Sequence, residues 1–248
     1  WSSYNCYLVY VSVYVFNVHY KSSKSIFSSF SSSPKKITLV LISLYGKYVE
    51  DGAINLETTI GELGLDEDDG LLDSEKAAKV DHLITSRSGV FHLPSNGGYD
   101  EDNILERGSV APGAYWVYNN WDFNAAGYVF EQAAGHSIYE ELESQIALPV
   151  GFQDWDITAQ KKYDNPQNSR YPAYHIYLST RDMAKVGQLM LQEGQWQDKQ
   201  IVSADWLRET ITPVTPRDTV SKRFGTRAGV PEYAYAYMWW CFDELNGN

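Results

Sequence analysis

Between Asp51 and about Pro172 the chain repeatedly carries a helix start and then a helix stop, which confines this stretch to short helices joined by long polar loops. Ser137 followed three residues later by Glu140 has the spacing of a capping box, and Ser179 with Asp182 repeats a similar signature. Asp73-Ser74-Glu75 is expected to open a helix that runs through His82-Leu83-Ile84 and closes at Ser88-Gly89, where glycine suits a left-handed cap. Residues 124–134 form another expected helix, stopped by Gly135. Met183, Val186, Leu189 and Met190 recur at helical spacing and predict a core-facing stripe. The two ends of the chain read differently. Residues 9–16 alternate β-branched and aromatic side chains and predict a strand, and residues 233–240 look like a returning strand. Residues 37–49 are apolar enough for either a helix or a strand.

A compositional break separates the first of these ends from the rest. No Asp or Glu precedes Glu50, so all 32 acidic residues lie from there onward, and residues 22–33 contain eight serines. Two accounts of the acid-free stretch stand side by side. It is either a strand pair followed by a serine-rich loop, or a stretch foreign to the rest of the chain, as a reading-frame error would produce. The first residue is Trp1, from which residues are expected to be missing at the front. A net charge of -12 argues against nucleic-acid or anionic-membrane partners, because an acidic surface repels phosphate, and so points to a small-molecule partner. Cys6 and Cys241 provide neither a disulfide framework nor a metal-binding spacing. The apolar run over residues 6–18 is too short to span a bilayer and has neither the basic flank nor the cleavage site of a signal peptide.

Few segments carry the residue types that catalysis needs. Residues 112–121, Pro-Gly-Ala-Tyr-Trp-Val-Tyr-Asn-Asn-Trp, join aromatic anchors to two amides and a phenol just before a helix. On spacing alone, the aromatics could simply pack on the core while an Asn caps that helix. The acidic runs at residues 66–69 and 100–102 lack the distal Glu of a calcium loop and are expected to be solvated. The histidines show no paired-ligand spacing, so neither a metal nor another cofactor is expected. Gly135-His136-Ser137 approaches a nucleophile elbow but lacks the second glycine, and Ser137 is better read as a cap.

Taken in order, the segments resemble the β-lactamase-related, penicillin-recognising serine hydrolases. Residues 49–56 look like the turn after that family's nucleophile helix. Residues 82–90, His-Leu-Ile-Thr-Ser-Arg-Ser-Gly-Val, are similar to its Leu-Leu-Thr-His-Thr-Ser-Gly, and residues 112–120 to its Pro-Gly…Tyr-x-Asn. Gly135-His136-Ser137, residues 147–152 and Ser179-Thr180-Arg181-Asp182-Met183-Ala184 match later blocks, all in family order from about Gly46 to Trp240. The resemblance implies an α/β (α+β) fold, an antiparallel sheet flanked by helices with an all-helical insertion. It divides the chain into residues 1–50 and 176–248 of the α/β region and residues 51–175 of the helical one. It also implies a fragment, because the family's third motif, a Lys/His-Thr/Ser-Gly strand, is not present and the C-terminal strands that carry it are expected to be missing.

The implied chemistry is acyl transfer to an ester or amide through a Ser-x-x-Lys pair on one helical face. Ser32 with Lys35 is the preferred match, and Ser33 with Lys36 overlaps it. Both lie two or three residues farther from Gly52 than is usual in the family. Tyr118 is then the proton relay, with a phenol expected to be lowered by the nearby lysine, and Asn120 orients lysine and substrate. Tyr115, Trp116 and Trp121 are the expected substrate contacts. Two alternatives on the same scaffold are a non-catalytic binding module and a truncated, inactive product. The family is often periplasmic or secreted.

Overall fold

A computed structural model of the protein describes residues 35–224 and 233–241, with the backbone alone described at 35–39 and 221–224. The strand expected over residues 9–16, the serine-rich stretch, Ser32 and Ser33 lie outside the described residues.

The ambiguous run after Lys35 resolves as helix α1, Lys35–Glu50. Val40, Leu41, Ile42, Leu44 and Tyr45 are all buried, so most of its circumference is enclosed rather than a single stripe. Two hydrogen bonds fasten it from distant parts of the chain. Tyr45 Oη donates to the carbonyl of Ala126 at 2.6 Å, and Trp206 Nε1 donates to the carbonyl of Ile42 at 2.8 Å. The helix closes through Asp51 onto Gly52 at φ 73°.

The expected helix from Asp73 to Ile84 is broken in two, α2 (Asp73–Lys76) and α3 (Val80–Ile84). The reason lies in the intervening backbone. Ala78 and Lys76 turn their carbonyls out to accept from Ile60 and Gly61, and Thr59 bridges Lys79, so these groups serve the loop rather than the helix. The second half also ends earlier than Ser88-Gly89. Thr85 caps it, and the first left-handed residue is Ser86 at φ 56°.

Helix α4 spans Asn120–Ala134, four residues longer at its start than the sequence suggested, and Gly135 ends it in the left-handed conformation at φ 68°. Ala125, Ala126 and Gly127 make it thin where it passes between α1 and a β-hairpin. A Cβ at Gly127 would lie 2.3 Å from the ring of Tyr174, so only glycine lets that hairpin pack this closely. Ser137 then caps α5 (Ile138–Leu142) in the expected capping box with Glu140. A π-helical turn, Glu143–Ala147, continues it into α6 (Leu148–Val150), which Gly151 closes.

The hairpin, β1 (Lys161–Asn165) paired antiparallel with β2 (Ser169–His175), falls in a stretch the sequence assigned to helices and loops. Helix α7 (Thr180–Leu191) follows, capped by Ser179, with Met183, Val186, Leu189 and Met190 all buried as expected. A short hairpin of β3 (Gln195–Trp196) and β4 (Lys199–Gln200) leads to α8 (Ala204–Thr210) and α9 (Arg217–Phe224). The single returning strand expected over 233–240 is instead a tight pair, β5 (Ala234–Tyr235) and β6 (Trp240–Cys241), reversed through Met238 at φ 59°. Among the described residues the β structure is therefore three two-stranded antiparallel sheets. Also among them, no helix is long and apolar enough to cross a membrane.

Candidate functional site

Tyr118, Asn119 and Asn120 form the entry to α4, and each has a distinct task. Asn119 is the helix cap: its Oδ1 accepts from the Trp121 amide at 3.0 Å while its Nδ2 donates to the carbonyl of His92 at 3.0 Å. Asn120 occupies the first helical position. Its amide donates to the Gly98 carbonyl at 3.0 Å, and its Nδ2 donates to the carbonyl of Gly97. Gly98 sits at φ 99°, and a Cβ there would fall 2.2 Å from Asn120 Nδ2, so glycine is required both by backbone and by space. These bonds lock residues 92–98 against the turn. They leave Asn120 Oδ1 buried and without a hydrogen-bond partner among the described residues.

Tyr118 is held by ring contacts. It stacks on Trp240 at 5.6 Å and meets Phe123 edge-on at 5.2 Å. Burial pushes its phenol up to about 12, the opposite direction from the lowering expected beside a lysine. The correction is physical: desolvation penalises the phenolate. Asp122, one turn into α4, behaves likewise. It is fully enclosed, accepts from Ser88 Oγ at 2.6 Å, and burial raises its carboxyl well above the ordinary range.

The expected substrate aromatics divide by exposure. Tyr115 is half-buried, donates to the carbonyl of Asn103 at 2.9 Å and lies edge-on to Phe91. Trp116 and Trp121 are enclosed, at 2% and 0% exposure, and act as core anchors rather than ligand contacts. Trp121 donates its indole N–H to Glu67 Oε1 at 2.6 Å. That contact corrects the reading of residues 66–69 as a solvated run. Glu67 is buried, accepts also from Ser169 Oγ at 2.6 Å and the Arg170 amide at 2.8 Å, and has His92 Nδ1 at 3.8 Å. Asp66 accepts from the Leu71 amide and pairs with Lys76, which together hold its carboxyl down at about 2. Asp69 bonds His92 Nε2 at 3.0 Å, and Arg107 joins Asp69 to the buried Glu75.

The candidate site is thus the Tyr118–Asn120 turn, which the structure clamps with residues 92–98 and underpins with Glu67 and Asp122. The chain signals that could have revealed the last two were weak, since one carboxylate sits in an acidic run and the other looks like an ordinary first-turn helix acid. Ser32 and Ser33 lie outside the described residues, and Lys35 and Lys36 are placed only by backbone in the first turn of α1. Among the described residues there is no group of three His, Cys, Asp or Glu side chains arranged to hold a metal ion.

The sequence profile of the β-lactamase family matches residues 39–243, a span that includes Tyr118 and Asn120 and begins after both Ser-x-x-Lys pairs. The 6-aminohexanoate-dimer hydrolase of Paenarthrobacter ureafaciens is 30% identical over 73 residues, which are 29% of this chain and 18% of that protein. A β-lactamase-type protein from Bacteroides dorei DSM 17855 superposes with a TM-score of 0.58 at 15% identity, over 83% of this chain and 64% of that one. A penicillin-binding protein from Bacillus halodurans does so with a TM-score of 0.53 at 16% identity, over 87% of this chain and 70% of that one. The chain therefore spans less than two thirds of the first of these solved structures and under a fifth of the curated hydrolase. With its helix order, its β-lactamase/transpeptidase-like fold and the profile match over most of its length, the chain belongs to the β-lactamase family of hydrolases.

Proposed function

We propose that the chain acts as a serine hydrolase that forms an acyl-enzyme with an ester or amide. Ser32 and Lys35 serve as the nucleophile pair, with Ser33 and Lys36 as the overlapping choice, and Tyr118 and Asn120 serve as their partners. The observation that carries this reading is Asn120. Its carboxamide is fixed at one end by Gly97 and offers at the other a buried oxygen that has no partner among the described residues. A buried acceptor left open costs about 1–3 kcal/mol unless something donates to it. A lysine amine N–H or a substrate N–H is the donor this chemistry supplies.

Helix α1 bears on the pairing through the lysines, since Lys35 and Lys36 lie in its first described turn. In the reaction the lysine amine takes the serine proton as Oγ attacks the carbonyl. Backbone N–H groups hold the resulting oxyanion, and the leaving group departs with a proton. Tyr118, kept protonated by its enclosure, is suited to pass that proton rather than to remove one. Tyr115 is the aromatic we assign to the substrate. In domain terms, residues 1–50 and 176–248 form the α/β region and residues 51–175 the helical one.

A second reading, a non-catalytic binding scaffold, is favoured by one fact: the family match starts at residue 39, past both candidate serines. Intact-mass spectrometry after incubation with a fluorophosphonate, followed by peptide mapping, separates the two. An adduct on Ser32 or Ser33, lost in the Ser32→Ala plus Ser33→Ala variant, is expected for the enzyme. A folded chain that takes no adduct overturns the nucleophile assignment and leaves the scaffold reading.

A further inference from the structure

The loop that clamps Asn120 has a second side. Ser95, Asn96 and Gly97 form one wall of an open cleft of about 330 Å³. The β1–β2 hairpin forms the other, through Tyr163, Asn165, Asn168 and His175. Ligand pockets run from about 300 to 1,000 Å³, so this one has room for about a single ring.

Its lining has an unusual chemistry for so acidic a chain: it contains no carboxylate, lysine or arginine. Lys162, one residue away, is turned to the other face, where it pairs with Glu131 at 2.5 Å and lies over the Tyr174 ring. Burial lowers the pKa of His175, which keeps its ring uncharged at neutral pH. Tyr163 and His175 stack nearly parallel, at 6.0 Å between centroids and 11° between planes, and Tyr163 is 52% exposed. The stack fixes the orientation of the exposed Tyr163 ring. Around it the amides are half-committed. Asn96 uses its oxygen to accept from Asn124 at 3.3 Å, which leaves its two N–H donors, and Asn168 uses its nitrogen to donate to the Pro94 carbonyl at 3.3 Å, which leaves its oxygen.

We infer that this cleft is a binding site for one uncharged polyhydroxylated ring, a neutral monosaccharide unit, seated on the Tyr163 ring that His175 backs and held at its rim by Asn96, Asn165 and Asn168. Each hydroxyl of such a ring both donates and accepts, which suits amides that present a free donor on one side and a free acceptor on the other. The C–H face of the ring suits an aromatic platform. None of the lining residues offers a counter-charge to a carboxylate or ammonium on the ligand, so such a group would lose hydration without compensation from the lining. The site stands apart from the acyl-enzyme reading, although Gly97 joins them, since its carbonyl faces Asn120 while the residue lines the cleft.

Saturation-transfer NMR on the whole chain tests this, with methyl glycosides of glucose, galactose, mannose and N-acetylglucosamine at millimolar concentration and with glucuronate and glucosamine as charged counterparts. Transfer to ring protons of at least one neutral glycoside is expected, with loss of that transfer in Tyr163→Ala and retention in Tyr163→Phe. Tyr163 is exposed enough that its removal leaves the melting temperature in place, and that temperature is measured alongside. The assignment is overturned if the folded chain gives no transfer to any neutral glycoside, if the charged sugars bind equally, or if Tyr163→Ala binds as the parent does. Sugar binding without a fluorophosphonate adduct would leave the cleft assigned and remove only the nucleophile.

Discussion

Replacing Glu67 with glutamine is the sharpest test of how the Tyr118–Asn120 turn is supported, because the substitution keeps shape and removes charge. Glu67 Oε1 accepts from Trp121 Nε1 and Ser169 Oγ, and Oε2 accepts from the Arg170 amide. Glutamine has one acceptor oxygen. Whichever way it turns, its NH2 meets at least one of these donors and leaves it buried and unsatisfied, at about 1–3 kcal/mol. The bonds that remain fall from charge-assisted to neutral strength, a further loss of about 1 kcal/mol. A destabilisation of about 2–4 kcal/mol follows, which in a chain of this size lowers the melting temperature by roughly 5–15 °C. Urea unfolding followed by circular dichroism measures the energy, and the indole N–H resonance of Trp121 reports the lost bond. A loss under about 1 kcal/mol with that resonance unmoved would show that Glu67 does not hold Trp121, and the account of the site's foundation would be wrong.

Three further outcomes are expected. Gly98→Ala strains a backbone at φ 99° and drives a Cβ into the Asn120 amide, so a loss of about 2–4 kcal/mol with reduced ester hydrolysis should appear; an unchanged melting curve would refute the clamp. Asp122 keeps its proton in the fold above the pH at which the unfolded chain releases it, near 3.8, so this group lowers stability as pH rises from there toward its raised folded value. Asp122→Asn lacks that penalty and should therefore gain on the parent between pH 4 and pH 7 in paired urea titrations; a pH-independent difference would mean that Asp122 is ionised in place. Tyr118→Phe preserves both ring contacts and deletes only the hydroxyl, so hydrolysis should fall by about 10²–10⁴, with the melting temperature measured alongside, and an unaltered turnover would remove Tyr118 from the proton path.

Local chemistry was readable where it is satisfied locally. Ser137, Gly135 and Ser179 cap helices where their spacing says they should, because a cap needs only the three or four residues beside it, those after Ser137 and Ser179 and those before Gly135. The Asp73–Ile84 run broke because the carbonyls of Lys76 and Ala78 answer to Gly61 and Ile60, partners more than a dozen residues away. The β1–β2 hairpin was legible in part. Ser169, Tyr171 and Ala173 are buried while Arg170 is exposed, a period of two that Pro172 disguises. Within the site, the Tyr-Asn-Asn turn was found from its segment order. Its supports, Glu67 and Asp122, were not, since nothing adjacent to an acidic residue announces that an indole or a serine hydroxyl will arrive to bond it.

The two hydrogen bonds that fasten α1 also set the order in which the molecule can be made. Tyr45 waits for a carbonyl 81 positions later, and the Ile42 carbonyl for an indole 164 positions later. At about 5–20 residues per second of synthesis, Trp206 emerges roughly 8–33 s after Ile42. Until then α1 has α4 and α5 to pack on but lacks the contacts that α8 supplies. The order of synthesis thus separates the making of α1 from its final fastening, because the helix is translated well before the indole that bonds the Ile42 carbonyl.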